Sequence, residues 1–133
     1  MTVVDTSVLV ELVTVPEHQE LLLKALRGAA PLKISAFSFY EACLVTQSRL
    51  GAAGAEAVKN LIKALHIDVV EFNSERAVRA AEVYSRFGRG FHGAKLNMGD
   101  CPVYDLAREL GATLMFKGDD FSRTDLSLLA RPI

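Results

Sequence analysis

The segment that decides the fold is a short apolar run near the amino terminus that ends in an acidic residue: TVVDTS, residues 2–7. Valine and threonine favour a β-strand, and Asp5, Thr6 and Ser7 are residue types that commonly begin a helix. A strand followed at once by a helix is typical of proteins that alternate the two elements. The segment therefore predicts a short first strand with Asp5 at its carboxyl end.

The same alternation continues along the chain. Strands are predicted at Thr2–Val4, Leu32–Ser35, Ile67–Phe72 and Thr113–Phe116, with a short edge strand at Ser127–Ala130. Apolar residues at helical spacing predict helices at Thr6–Val13, Glu17–Arg27, Phe37–Leu50, Gly54–Leu65, from Asn73 or Ser74 to about Phe87, and at Asp100–Leu110. We therefore expect one α/β domain over residues 1–133, a three-layer α/β/α sandwich around a parallel sheet of four to five strands.

Composition excludes several classes of protein. The chain has 133 residues, 50% of them hydrophobic and 23% charged, which is typical of one globular domain. No apolar run reaches the ~20 residues of a membrane span, and no signal peptide precedes the first strand. Two cysteines, Cys43 and Cys101, lie in helical patterns and indicate reduced thiols. These features predict a cytoplasmic protein without a disulfide or a soft-metal site.

Acidic residues recur where a predicted strand ends or a helix begins: Asp5, Glu41, Asp100 and the pair Asp119 and Asp120. Ligands of a parallel sheet bind outside the carboxyl ends of its strands. We therefore expect these carboxylates to converge on one edge of the sheet, where they would hold a hard divalent cation.

Each acid also has a local explanation. Asp5 and Asp100 are suitable helix caps, Glu41 would suit the surface of an amphipathic helix, and Asp119 and Asp120 would suit a turn. The local explanations would have to hold independently for each acid at the same edge of the sheet. One shared site explains all of these positions together and is therefore favoured. The remaining acids on predicted helices have polar neighbours and predict solvated positions; they include Glu11, Glu17, Glu20, Glu56, Glu75, Glu82, Asp105 and Glu109.

The glycine-rich stretch at residues 88–99 has two interpretations. Its basic and aromatic side chains would suit a wall that holds the phosphates and stacks a base of single-stranded RNA; they are Arg86, Arg89, Phe91, His92 and Lys95. A solvated loop explains the same composition. Net charge is −1, but without the five candidate site acids 11 of the 16 acids remain against 15 basic residues, which is compatible with a nucleic-acid substrate.

Other chemistries find little support in the sequence. The three histidines have no metal-ligand spacing with one another or with the cysteines. There is no Gly-x-Ser-x-Gly nucleophile motif and no phosphate-binding loop. A phospho-accepting receiver domain would need an acidic pair after the first strand, whereas this chain has one aspartate there and its pair near the carboxyl end.

In these segments the chain resembles the PIN-domain family, and within it the VapC-type toxins of toxin–antitoxin pairs. The resemblance rests on VVDTS at residues 3–7, SFYEA at 38–42, LNMGDC at 96–101 and FKGDDFSRTD at 116–125. It implies a ribonuclease dependent on Mg²⁺ or Mn²⁺, with Asp5, Glu41 and Asp100 at the three most characteristic acidic positions. Either Asp119 or Asp120 fits the fourth.

The resemblance also implies roles and partners. Asp5 and Asp100 would be the principal metal ligands, Glu41 would orient the attacking water or bind through water, and Thr6 or Ser7 would help to position a ligand water. It implies a homodimer restrained by an antitoxin protein, for which the apolar segments 21–23 and 61–62 are candidate surfaces. A catalytically silent binding module with the same fold is the alternative.

Overall fold

The structure is a computed structural model that describes residues 1–88, 90, 95–122 and 124–126. Strands β1 to β4 span Thr2–Val4, Leu32–Ser35, Asp68–Val70 and Thr113–Met115. Helices α1 to α6 span Thr6–Thr14, Gln19–Gly28, Ala36–Leu50, Ala52–Ala64, Ser74–Phe87 and Asp100–Leu110, and a 3₁₀ helix, Pro16–His18, precedes α2. The described strands form one sheet in the order β3-β2-β1-β4, with every neighbouring pair parallel.

Helices cover both faces of the sheet. This follows from the two hydrophobic clusters below, because neighbouring residues of a strand point to opposite faces. Val3 and Leu114 are buried in a cluster with residues of α5 and α6. Val4 and Met115, each one position further, are buried in a second cluster with residues of α1 to α4. The predicted α/β/α sandwich is therefore confirmed.

The predicted elements match closely, with small differences at their ends. The bounds of β1, β2 and α6 are as expected, whereas the strand expected at Ile67–Phe72 is only Asp68–Val70. The second helix starts at Gln19 because Pro16–His18 forms a separate 3₁₀ turn. The edge strand expected at Ser127–Ala130 lies outside the described residues. No helix in the described part of the chain combines the length and apolar character of a membrane span.

Two acids predicted to be solvated are buried instead. Glu11 and Asp105 each keep only 6% of their surface exposed. Arg79 of α5 donates to Asp105 at 2.9 Å, and Glu11 lies between two partners described below. Burial of a carboxylate requires such partners, and Arg79 lies 26 positions from Asp105 in the chain.

The two ends of the connection between α5 and α6 are hydrogen-bonded to each other. Gly88 and Leu96 form an isolated parallel bridge, and the Leu96 N–H donates to the Phe87 carbonyl at 2.9 Å. Leu96 is completely buried. The segment that leads from Leu96 into α6 is therefore fixed to the end of α5.

Candidate active site at the carboxyl edge of the sheet

Asp5 lies directly after β1 and is 6% exposed. Its N–H donates to the Met115 carbonyl at 3.0 Å, which fastens the end of β1 to the end of β4. Its Oδ2 accepts hydrogen bonds from the N–H of Ser7 at 3.0 Å and from the Ser7 hydroxyl at 2.5 Å. Both contacts use Oδ2, so Asp5 is a helix cap that still presents Oδ1 to a further ligand.

Ser7 and Thr6, both expected near a ligand water, differ in their contacts. The Ser7 hydroxyl contacts Asp5 and is directly connected to the acidic edge. The Thr6 hydroxyl donates to the Ser38 carbonyl at 3.1 Å and fastens α1 to the first turn of α3. Of the two hydroxyls, Ser7 is therefore the one that belongs to the candidate site.

Asp100 begins α6 and is held by a reciprocal pair of hydrogen bonds with Asn97. The Asn97 N–H donates to Asp100 Oδ2 at 2.9 Å, and the Asp100 N–H donates to Asn97 Oδ1 at 3.0 Å. This exchange resembles a capping box, in which two side chains satisfy each other's free N–H groups. Asn97 was not among the predicted site residues, although a capping residue three positions before an acid is a signal that the sequence contains.

Glu41 lies on α3 and approaches the same edge from the side. Its carboxylate packs against Gly99, where an added Cβ would lie 2.8 Å from Oε1. Only a glycine leaves room for this approach next to Asp100. The structure thus brings Glu41 to the amino end of α6 rather than to the open surface of α3.

Asp119 and Asp120 follow β4. The negative charge of Asp120 is among the causes that raise the pKa of both Asp5 and Asp100. The turn itself is ordered by Gly118, whose φ of +104° suits glycine. The charge of Asp120 favours it as the fourth acid, and the choice between Asp119 and Asp120 stays a prediction.

The acids at this edge share an excess of negative charge. Burial is the largest cause that raises the pKa of Asp5 to about 6, and the charges of Glu41 and Asp120 add to it. Burial likewise raises the pKa of Asp100 to about 7, with contributions from Asp5, Asp120 and Glu41. Carboxylates that oppose one another's ionisation are typical of functional sites.

The described residues contain no group of three or more acidic, histidine or cysteine side chains close enough to hold a metal ion as it stands. The charges of these acids thus affect one another, but their carboxylates are not close enough to coordinate one cation together. Binding of a cation would require the side chains to move closer to one another. The shared metal site of Asp5, Glu41 and Asp100 stays a prediction.

Asp125, which belongs to the motif at residues 116–125, binds side chains of α6. Its carboxylate accepts hydrogen bonds from the Tyr104 hydroxyl and, at 3.1 Å, from Arg108. Both donors lie on α6. Phe121 is buried against the Phe116 ring, with centroids 5.2 Å apart. These contacts fix the segment that follows Asp120.

The predicted RNA-binding wall falls largely on residues that the structure does not describe. Arg89, Phe91 and His92 lie outside the described residues, so their part in it stays a prediction. Arg86 is described and lies over the Phe87 ring at 4.8 Å. Lys95 is exposed and has a positive φ of 58°.

Fold and site together define an α/β protein with a carboxylate centre at the carboxyl edge of a parallel sheet. The sequence profile of the PIN domain matches residues 2–126. The chain belongs to the PIN domain family.

Proteins with similar sequences carry names that indicate an activity. The chain is 34% identical over 130 residues to Ribonuclease VapC30 of Mycobacterium tuberculosis, covering 98% of this chain and 99% of that protein. It is 35% identical over 125 residues to Ribonuclease VapC of Mycolicibacterium smegmatis, covering 94% and 97%. The similarity therefore extends over nearly the full length of both relatives.

Solved structures with the same fold are more distant in sequence. VapC20 of M. tuberculosis, described as a toxin that cleaves the sarcin-ricin loop, superposes with a TM-score of 0.80 at 16% identity over 95% of this chain and 96% of that one. VapBC2 of Rickettsia felis, solved on a DNA fragment from its promoter, gives 0.73 at 15% identity over 96% of each chain. At these identities the likeness establishes the fold.

Proposed function

We propose that this protein is an endoribonuclease that depends on a divalent cation and serves as the toxin of a toxin–antitoxin pair. The observation that carries the proposal is the electrostatic coupling of Asp5, Glu41, Asp100 and Asp120 at one edge of the sheet. Two relatives that match nearly the full chain and are named ribonucleases support the choice of RNA as substrate. Relatives of the same fold occur as toxin–antitoxin complexes, which supports the partner.

The side chains present fit a hard cation. All candidate donors are carboxylate oxygens, the ligands that Mg²⁺ and Mn²⁺ prefer. Hydrogen bonds to Oδ2 orient the carboxylates of Asp5 and Asp100. The raised pKa values of both residues indicate a site in which added positive charge would be stabilising.

Each acid has a distinct part in this proposal. Asp5 and Asp100 are the principal metal ligands, and Asp120 completes or tunes the set; Asp119, which was predicted as an alternative, is the less favoured of the two acids after β4. Glu41 contacts a ligand water or orients the attacking one. When bound, Mg²⁺ or Mn²⁺ supplies an activated water and neutralises charge on the phosphate.

The protein's own residues prepare the site for that chemistry. Ser7 and Asn97 hold Asp5 and Asp100 in fixed orientations, which lowers the cost of assembling the ligands. Glu41, placed beside Gly99, would accept a hydrogen bond from a ligand water or from the attacking water. Burial of Asp5 and Asp100 excludes bulk water from the carboxylates and strengthens their interaction with charge.

The proposal includes a homodimer and an antitoxin, and the structure changes which surfaces are candidates. Leu22 of the predicted segment 21–23 is buried but Leu21 is 47% exposed, and residues 61–62 pack partly against the core. Tyr40 and Leu44 of α3 are instead 62% and 51% exposed. We therefore place the protein contacts on α3 rather than on segment 61–62. An antitoxin arginine or lysine near the acids would compete with the cation.

Metal-dependent cleavage by the purified protein tests the proposal. We expect single-stranded RNA to be cut with Mg²⁺ or Mn²⁺ and to remain intact with EDTA. Asp5→Asn and Asp100→Asn, purified in parallel, should lose cleavage while their circular dichroism spectra remain those of a folded protein; Glu82→Gln, an exposed change on α5, is the matched control.

Three results would count against parts of the proposal. Intact RNA at every divalent cation tested, from a folded protein that binds RNA, would favour the silent binding module. Full activity of both Asp→Asn variants would reject the assignment of the site. A monomer at micromolar concentration that is harmless when expressed without a partner would oppose the proposed homodimer and antitoxin.

A further inference from the structure

Glu11 is a buried carboxylate that takes no part in the candidate acid cluster. It lies on α1, and its side chain is 8% exposed. Its Oε2 accepts a hydrogen bond from Lys117 Nζ at 2.7 Å, and its Oε1 lies 2.8 Å from His18 Nδ1. The contact with Lys117 is the largest cause that lowers the pKa of Glu11. Glu11 is therefore a charged anchor between α1, the turn before α2 and the segment after β4.

Lys117 is connected to Asp5 through its backbone. The Lys117 N–H donates to the Ser7 hydroxyl oxygen at 2.9 Å, and the same hydroxyl donates to Asp5 Oδ2. The lysine side chain then runs along α1 from Ser7 to Glu11, one helical turn further. The two ends of Lys117 thus hold two successive turns of α1.

Lys117 directly precedes the turn that carries the next acids. It is followed by Gly118, whose positive φ turns the chain, and then by Asp119 and Asp120. The residue that contacts Ser7, the partner of Asp5, is therefore also the residue from which the turn to Asp120 begins. No other described ion pair between a lysine and an acid contacts this edge of the sheet.

We propose that Glu11 and Lys117 are positioning residues of the active site, which act by holding Ser7 against Asp5 and the turn that presents Asp120. The inference rests on the proposed function, because it assigns these residues to the assembly of the same cation site. Neither residue touches the cation or the RNA. Partners that orient metal ligands in this way typically alter metal affinity by about 10–100-fold.

Binding of Mn²⁺ to the metal-free protein gives a readout that does not depend on cleavage. Free Mn²⁺ is measured by electron paramagnetic resonance for Glu11→Gln, Lys117→Met, the double variant and Lys117→Arg. Lys33→Met is the matched control, because it removes another lysine–carboxylate pair, with Asp68 at 2.6 Å, which joins β2 to β3. Circular dichroism confirms that each protein is folded under the conditions of the titration.

We expect Glu11→Gln and Lys117→Met each to weaken Mn²⁺ binding by about tenfold. The double variant should be no weaker than Lys117→Met alone, because both changes break one contact. Lys117→Arg should restore affinity to near that of the wild type, and Lys33→Met should leave it unchanged. At saturating Mn²⁺, kcat should fall in the two single variants while KM for RNA is retained.

Three outcomes would overturn the inference, and they differ from failure of the proposed function. Unchanged Mn²⁺ affinity in folded Glu11→Gln and Lys117→Met would reject the positioning role. A higher KM for RNA in Lys117→Met with normal Mn²⁺ affinity would make Lys117 a phosphate contact instead. If Lys33→Met weakened Mn²⁺ binding as much as Glu11→Gln and Lys117→Met do, the effect would reflect a general loss of stability. A wild-type protein that binds no Mn²⁺ and cleaves no RNA would reject the proposed function and this inference with it.

Discussion

Replacing Asp100 by asparagine is expected to stabilise the metal-free protein at pH 8. The folded protein raises the pKa of Asp100 from its ordinary value of 3.8 to about 7, chiefly because the carboxyl is buried and then because Asp5, Asp120 and Glu41 repel its charge. The folded state therefore holds the proton more tightly than the unfolded state. The associated stability is fully present below pH 3.8 and is lost as the pH rises through about 7.

The size of the effect follows from that difference. At about 1.4 kcal/mol for each pH unit, ionising Asp100 in the folded protein costs about 4 kcal/mol. The asparagine side chain that replaces it remains neutral at every pH and keeps an oxygen that accepts from Asn97. We therefore expect Asp100→Asn to raise the free energy of unfolding at pH 8 by about 2–4 kcal/mol.

Urea unfolding at pH 5 and pH 8 in EDTA measures the effect. The wild type should lose stability from pH 5 to pH 8, Asp100→Asn should lose much less, and Glu82→Gln should behave as the wild type. Saturating Mg²⁺ should restore the wild type at pH 8 and leave Asp100→Asn little changed. A wild type that is equally stable at both pH values, or an Asp100→Asn variant that gains nothing at pH 8, would refute the reasoning.

Four further substitutions test three separate parts of the site. Asp120→Asn should raise stability at pH 8 in EDTA and abolish RNA cleavage, whereas Asp119→Asn should do neither in the same assays; equal effects would contradict the choice of Asp120. Gly99→Ala should displace the Glu41 carboxylate and lower kcat by about tenfold or more with the fold retained by circular dichroism, and unchanged kcat would show that Glu41 can move without consequence. Gly118→Ala should cost about 1 kcal/mol in urea unfolding, because alanine is strained at a positive φ; no loss would mean that the turn adapts.

Much of the fold and the general position of the site follow from sequence pattern. Short apolar segments at Thr2–Val4 and Thr113–Phe116 predict strands, and parallel pairing places their carboxyl ends at one edge. Asp5 follows the first of these strands directly, and Asp120 lies a short turn beyond the second. The placement of Asp5 and Asp120 at one edge was predictable because it depends on the direction of the strands, whereas Glu41 and Asp100 lie on helices.

The contacts that orient the acids depend on tertiary structure and were not predictable in the same way. Glu11 looks like a surface residue until Lys117, 106 positions later, is placed beside it. The choice between Asp119 and Asp120 depends on the turn at Gly118, whose conformation no periodic pattern encodes. Asn97 was the exception, because its spacing from Asp100 is a local capping signal.

The bridge between Gly88 and Leu96 fixes the two residues that flank positions 89–95. Leu96 is anchored in the core, and Asn97 and Asp100 follow within about one helical turn. Because Gly88 and Leu96 are held in place, insertions, deletions or substitutions at residues 89–95 should not displace the acidic residues at the edge of the sheet. For protein engineering, residues 89–95 are the natural place to exchange sequences between relatives.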